Sequence, residues 1–127
     1  MSGKPIIERL QVKGDRTLAV IGATSEVDRA IGGTRQRVAA TTADVVLLFA
    51  ANLKVFAAEL PRLLTGAKPD AIIWVAYPKL TSKLAADLSR DVIHKMAPGY
   101  GLDTVSQIAI DTDWSALRLK RVTVSRR

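Results

Sequence analysis

Hydrophobic residues fall along this chain in two rhythms, and the change of rhythm sets the expected fold. Two runs are apolar in unbroken succession, Asp44–Ala50 (DVVLLFA) and Ala71–Ala76 (AIIWVA). Continuous apolarity over strand length marks burial on both faces, as in the middle of a parallel sheet. After residue 100 the rhythm becomes alternation. Leu117 and Leu119 interleave with Arg118 and Lys120, the pattern of a strand with one wet face. Thr104–Ile110 and Ser115–Val124 both read as strands, joined only by Asp111-Thr112-Asp113-Trp114. A connection that short demands an antiparallel pair.

Helical spacing fills the gaps between these runs. Leu53, Phe56, Leu60 and Leu63 lie on one face of a helix that Asn52 can cap, and Pro61 is predicted to kink or divide it. Leu84, Leu88, Val92 and Met96 recur at intervals of four. They predict a helix from Thr81 or Ser82 to about Met96, ended by Pro98-Gly99. Earlier in the chain, Lys4–Leu10 reads as a short helix with Pro5 in its first turn. Thr17–Ile21 is of strand length, a Gly-Ala-Thr-Ser loop follows, and Glu26–Ile31 forms a short helix stopped by Gly32-Gly33. Gln36–Ala40 is a further strand. The order β-α-β-β-α-β-α-β-β predicts a small Rossmann-like α/β domain. Its sheet is mostly parallel with a C-terminal antiparallel hairpin, the plan of the methyltransferase-like branch. One domain is expected over residues 1–127, with Arg126-Arg127 as a frayed tail.

Composition narrows the chemistry. The absence of cysteine among 127 residues excludes disulfides, thiolate metal sites and cysteine nucleophiles. No apolar run approaches the roughly 20 residues of a membrane span, and the first residues lack the apolar core of a signal peptide. No membrane partner is expected, and the expected compartment is the cytoplasm. The net charge of +7 raises nucleic acid as a partner. Only Arg118, Lys120, Arg121, Arg126 and Arg127 cluster densely, however, and aromatics at 5% offer no stacking platform. A solvated strand face and tail is the favoured account of that cluster. No His-rich metal site exists, because His94 is the single histidine; it is expected on the wet face of its helix beside Asp87 and Asp91. Neither Gly-x-Ser-x-Gly nor a P-loop is present, since Gly32-Gly33-Thr34 lacks the Gly-Lys-Ser/Thr ending.

The candidate site is the elbow Tyr77-Pro78-Lys79-Leu80-Thr81-Ser82-Lys83, at the carboxyl end of a buried parallel strand, where open α/β sheets bind ligands. Tyr77, Lys79 and Ser82 are its candidate ligand residues, and a phosphate or carboxylate is the matching chemistry. If the sheet is parallel up to residue 110, the Asp111–Trp114 hairpin rises on the same edge. Asp111 and Asp113 can then face Lys79 or Arg90, with Trp114 as an apolar wall. The plainer alternatives are that Ser82 merely caps a helix, and that the hairpin carboxylates form a structural ion pair while Trp114 covers core.

Trp74-Val75-Ala76-Tyr77-Pro78-Lys79, together with Asp87, Arg90-Asp91 and Asp111-Thr112-Asp113-Trp114-Ser115-Ala116-Leu117-Arg118, resembles a family of short bacterial proteins catalogued as a domain of unknown function. The resemblance implies a shared fold and brings no catalytic residues with it. A wider likeness to methyltransferases rests on Lys68-Pro69-Asp70-Ala71, which looks like their lysine-proline-glycine-glycine turn with both glycines replaced. Such enzymes place an acid near the end of strand one, a Gly-x-Gly-x-Gly-like loop after it, and an acid for the ribose hydroxyls at the end of strand two. This chain reads Leu18-Ala19-Val20-Ile21-Gly22-Ala23-Thr24-Ser25-Glu26, with one glycine, and has Thr41-Thr42 at the second place. No cofactor is therefore expected. The resulting expectation is a binding or interaction module for a small anionic ligand at Tyr77, Lys79, Ser82, Arg90, Asp111 and Trp114. A non-canonical enzyme in the same crevice, a degenerate methyltransferase, is the rival. Weak nucleic-acid binding through Arg118–Arg127 is third, and pairing of the last strand with a second copy would make a homodimer.

Overall fold

The computed structural model describes residues 6–32 and 37–122 of the chain. Its elements are α1 (Ile6–Arg9), β1 (Leu18–Ile21), α2 (Ser25–Ile31), β2 (Val45–Phe49), α3 (Leu53–Gly66), β3 (Ile72–Pro78), α4 (Arg90–Met96), β4 (Leu102–Ala109) and β5 (Trp114–Arg121). One five-stranded sheet runs in the order β1-β2-β3-β5-β4. β1, β2 and β3 are parallel, and β5 lies antiparallel to both β3 and β4. The fold is the mixed α/β sheet that the two rhythms predict. The expectations for Lys4-Pro5, Gly33-Thr34, Gln36 and the Arg126-Arg127 tail lie outside the described residues.

Alternation within the buried strands divides the core into two faces. Val46, Leu48, Ile73, Val75 and Tyr77 pack toward α3 and α4. Val45, Leu47, Phe49, Trp74 and Ala76 pack with Leu10, Val12, Val27 and Ile31 on the opposite face. Trp74 is almost wholly enclosed, and its indole N–H donates to the Leu10 carbonyl at 3.0 Å, which ties the chain after α1 to the sheet. That bond lets a large ring be buried without an orphaned donor.

α3 begins as its sequence predicts. The Asn52 side chain accepts from Val55 N at 2.9 Å, and Phe56, Leu60 and Leu63 are buried. Pro61 does not divide it, and the helix runs unbroken from Leu53 to Gly66. The hydrogen bond that proline removes belongs to the carbonyl of Ala57, an exposed residue whose backbone water can satisfy.

Three expectations are corrected. The strand expected at Gln36–Ala40 is not found over its described residues, 37–40, where the pairing shrinks to one bridge from Leu18 to Arg37. The Arg37 side chain turns back to Gly32 O at 2.9 Å and to the Asp28 carboxylate at 2.6 Å, tying this segment to α2 by its side chain. The predicted helix from Thr81 or Ser82 is also absent. α4 spans only seven residues and is capped by Ser89, with Leu84 46% exposed. Finally, β5 lies between β3 and β4, so the last strand is not an edge available to a second copy. On that side of the sheet the edge belongs to β4, which carries an irregularity between Thr104 and Ser106 that interrupts regular pairing.

Candidate functional site

β3 leaves the sheet at Pro78, directly opposite Trp114 at the start of β5. The elbow and the hairpin are therefore joined at one edge. Lys79 N donates to Asp113 O at 2.8 Å, and the Ser82 hydroxyl donates to the Asp113 carboxylate at 2.7 Å. Asp111 shapes the hairpin itself, its carboxylate accepting from the backbone N–H of Asp113 and of Trp114, each at 2.8 Å. These bonds also explain the missing helix. The Ser82 hydroxyl accepts from Leu84 N at 3.0 Å in a local turn, and Asp87 gives its carboxylate to Leu53 N at 2.7 Å, capping α3 instead of continuing α4. Side chains that bond to backbone outside the helix outcompete a favourable apolar spacing.

The six candidate residues separate into three groups. Tyr77, Lys79 and Arg90 line one cleft of about 370 Å³, together with Ser89 and Ser115. Ser82 and Asp111 hold the loops in place by the bonds just described. Trp114 lies on the other face of the sheet, edge-to-face with Phe49 at 5.0 Å between ring centroids, so the sheet stands between it and Tyr77. Neither Lys79 nor Arg90 forms an ion pair with Asp111 or Asp113 among the described residues; the carboxylate near Arg90 is Asp91, at 3.5 Å.

Tyr77 carries the electrostatic anomaly of this cleft. It is 4% exposed, and its hydroxyl has no hydrogen-bond partner. Ser115 faces Tyr77 across the β3–β5 pair. Burial pushes the phenol pKa upward; the Arg90 charge and the Ser115 hydroxyl oppose it, and the Asp91 charge adds a smaller upward push. The group is thus a neutral phenol at a cleft that Lys79, Arg90 and Asp91 also line.

A second cleft of about 400 Å³ adjoins the first between α4 and β4 and shares Arg90, Asp91 and Gln107 with it. His94 lies here, its Nδ1 2.6 Å from the Thr104 hydroxyl rather than beside Asp87. Sequence reasoning missed this cleft. Its signal was the polar run Thr104, Ser106 and Gln107 in the first strand of the hairpin.

Several charged residues elsewhere have structural partners. Lys68 bonds to Asp44, whose carboxylate also accepts from Thr17 N at 2.9 Å. The Lys68 bond first, and then the Thr17 N–H, hold the Asp44 carboxyl below its usual range. The basic cluster is split by the alternation of β5. Arg121 donates to Leu64 O at 3.0 Å, at the end of α3, while Arg118 pairs across from Trp74 on the opposite face. Among the described residues no group of three or more acidic or histidine side chains is placed to hold a metal ion, and no helix is long and apolar enough to cross a membrane.

The loop after β1 is the other feature of the carboxyl edge. Gly22 has φ +81°, and a Cβ there would lie 2.9 Å from the Phe49 carbonyl oxygen. Its lack of a side chain serves the close approach of this loop to β2.

No protein-family model matches the chain, and no curated protein matches it either. Solved structures do. The ribosomal protein L11 methylase of Lactobacillus delbrueckii subsp. bulgaricus aligns with a TM-score of 0.59 at 12% identity, over 93% of this chain and 75% of that one. A SAM-dependent methyltransferase from Aquifex aeolicus aligns with a TM-score of 0.57 at 10% identity, over 90% and 86%. The mitomycin 7-O-methyltransferase MmcR aligns with a TM-score of 0.57 at 13% identity, over 87% of this chain, which spans only half of that enzyme's length.

Such a fold implies S-adenosylmethionine, and the residues at this edge do not fit it. The single glycine of the β1 loop faces the Phe49 carbonyl instead of opening a cradle. No acid occurs between Arg37 and Ala43 to hold ribose hydroxyls. At this level of identity the likeness is one of fold, and the chain has the Rossmann-like architecture of these methyltransferases.

Proposed function

We propose that this chain is a single-domain ligand-binding module on a methyltransferase-like fold, receiving a small anion in the cleft of Tyr77, Lys79 and Arg90. The observation that carries the reading is the Tyr77 phenol, buried and without a hydrogen-bond partner, at a cleft that Lys79, Arg90 and Asp91 also line. Leaving a buried hydroxyl unpaired costs about 1–3 kcal/mol. An anionic oxygen would recover that cost, because a neutral phenol donates and an anion accepts. The Lys79 and Arg90 side chains add charge without a competing carboxylate from the hairpin. Trp74–Lys79 and Asp111–Arg118, the segments behind the resemblance to short bacterial proteins, are neighbours across β3 and β5. Membership of that family and residence in the cytoplasm belong to the same proposal.

Thermal unfolding against inorganic phosphate, phosphorylated metabolites, nucleotides, S-adenosylmethionine and short DNA tests it. A ligand at a hundred times its Kd adds about 2.7 kcal/mol, which moves the midpoint by several degrees. The reading expects a saturable shift with a phosphate-bearing compound that Lys79→Ala abolishes. A flat response to every anion, or a shift confined to S-adenosylmethionine, overturns it. Turnover of a bound compound would replace the binding module with an enzyme. A steeply salt-dependent response to DNA, reduced by removing the basic C-terminal residues, would favour nucleic acid.

A further inference from the structure

Resting on the anion-binding reading, we propose that the ligand is a phosphorylated sugar or polyol lying along both adjoining clefts. On the α4 side of the sheet, successive rows of side chains are Tyr77 with Ser115, Leu117 with Gln107, and Leu119 with Thr104. Rows two residues apart are separated by about 7 Å. Gln107 belongs to both clefts, so they form one groove from the elbow toward His94 and Thr104.

Charge decides which end takes the anion. Arg90 and Asp91 border both halves and offset one another, while Lys79 borders only the elbow half. The elbow half is therefore net positive, and the other half is neutral apart from His94. The Tyr77 hydroxyl, the Lys79 ammonium and the Arg90 guanidinium together offer more donors than the two oxygens of a carboxylate engage, which suits the three terminal oxygens of a phosphate monoester. The neutral half offers the Thr104 hydroxyl and the Gln107 amide, with apolar contact from Val105 and Leu117. Those groups complement a hydroxyl-bearing chain or ring. No Phe, Tyr or Trp lines that half, so a nucleobase finds no stacking surface there.

Calorimetric titration of the full chain with inorganic phosphate, ribose 5-phosphate, ribose and adenosine monophosphate tests the inference. Ribose 5-phosphate is expected to bind about tenfold more tightly than inorganic phosphate, a difference of 1.4 kcal/mol. Ribose alone is expected to show no binding, and adenosine monophosphate to gain nothing over ribose 5-phosphate. Thr104→Val, at a position that borders only the second cleft, is expected to erase the sugar advantage while leaving inorganic phosphate unchanged. Tyr77→Phe is expected to weaken both anions alike. Equal affinity for inorganic phosphate and ribose 5-phosphate overturns the inference and leaves the anion site standing. So does an equal loss of both in Thr104→Val, or a tenfold preference for adenosine monophosphate. Failure of both anions to bind removes the anion site and this inference together.

Discussion

Two of the loops at the carboxyl edge of this sheet, after β1 and after β3, are built in opposite ways. After β1, Gly22 brings the backbone against the Phe49 carbonyl, and the Thr24 hydroxyl caps α2 by accepting from Val27 N at 3.3 Å. Its close approach is consumed inside the protein. After β3, the elbow is tied to the Asp111–Trp114 hairpin from one side, while Tyr77, Lys79 and Arg90 on the other side line an open cleft. The comparison teaches that a shared fold does not preserve where its open donors lie. In this chain the open polar side chains of the carboxyl edge line the cleft beside the third strand.

The comparison can be broken most forcefully at Gly22. Gly22→Ala forces a side chain into a positive-φ conformation and against a carbonyl, and is expected to lower stability by about 2 kcal/mol or more. Chemical denaturation measures it; unchanged stability would mean that the loop has slack and that a cofactor cradle there must be reconsidered. A smaller loss is expected from Ser82→Ala, about 1 kcal/mol, because the hydroxyl both donates to Asp113 and accepts from Leu84 N. Amide exchange at Leu84 should quicken with it. No change in either quantity would mean that the elbow is not tied to the hairpin.

Tyr77→Phe sharpens the contrast, since it is expected to be neutral or stabilising by up to about 1 kcal/mol while weakening anion binding. Alkaline titration adds a sign. The Tyr77 phenol is held above its ordinary value of 10.0, chiefly by burial. Unfolded chains therefore ionise it first, and its contribution, complete below pH 10, declines as pH rises toward the folded value. Tyr77→Phe should remove that decline. Asp44 supplies the opposite sign at the far edge of the sheet. Its carboxyl is held below 3.8 by the Lys68 bond and the Thr17 N–H, so its contribution is present above that value and lost as pH falls through the lower folded value. Asp44→Asn should flatten the acid limb of a stability–pH curve, and an unaltered limb would contradict the role of that bond.

The two buried strands were legible because continuous apolarity has few other structural solutions, and the hairpin because four residues cannot cross a sheet. Asn52 and the Phe56, Leu60 and Leu63 stripe were legible for the same reason of strict geometry. The segment after β3 was not. Its leucine spacing is sound helical arithmetic, yet Ser82 and Asp87 bond to residues 31 and 34 positions away in sequence, which no local window contains. The insertion of β5 between β3 and β4 is likewise a tertiary choice, invisible in strand order along the chain. For the candidate site, sequence placed Tyr77, Lys79 and Arg90 near one strand end. It could not assign faces across a strand start, and so set Trp114 beside Tyr77 when the sheet separates them.

Amide chemical-shift mapping of the full chain, titrated separately with inorganic phosphate and with S-adenosylmethionine, tests most directly where this fold now binds. The account predicts saturable shifts with phosphate, confined to residues around Tyr77–Asp91 and Gln107–Ser115, and none with S-adenosylmethionine. Saturable shifts of Gly22–Thr24 on adding S-adenosylmethionine, with the elbow unmoved by phosphate, would contradict it.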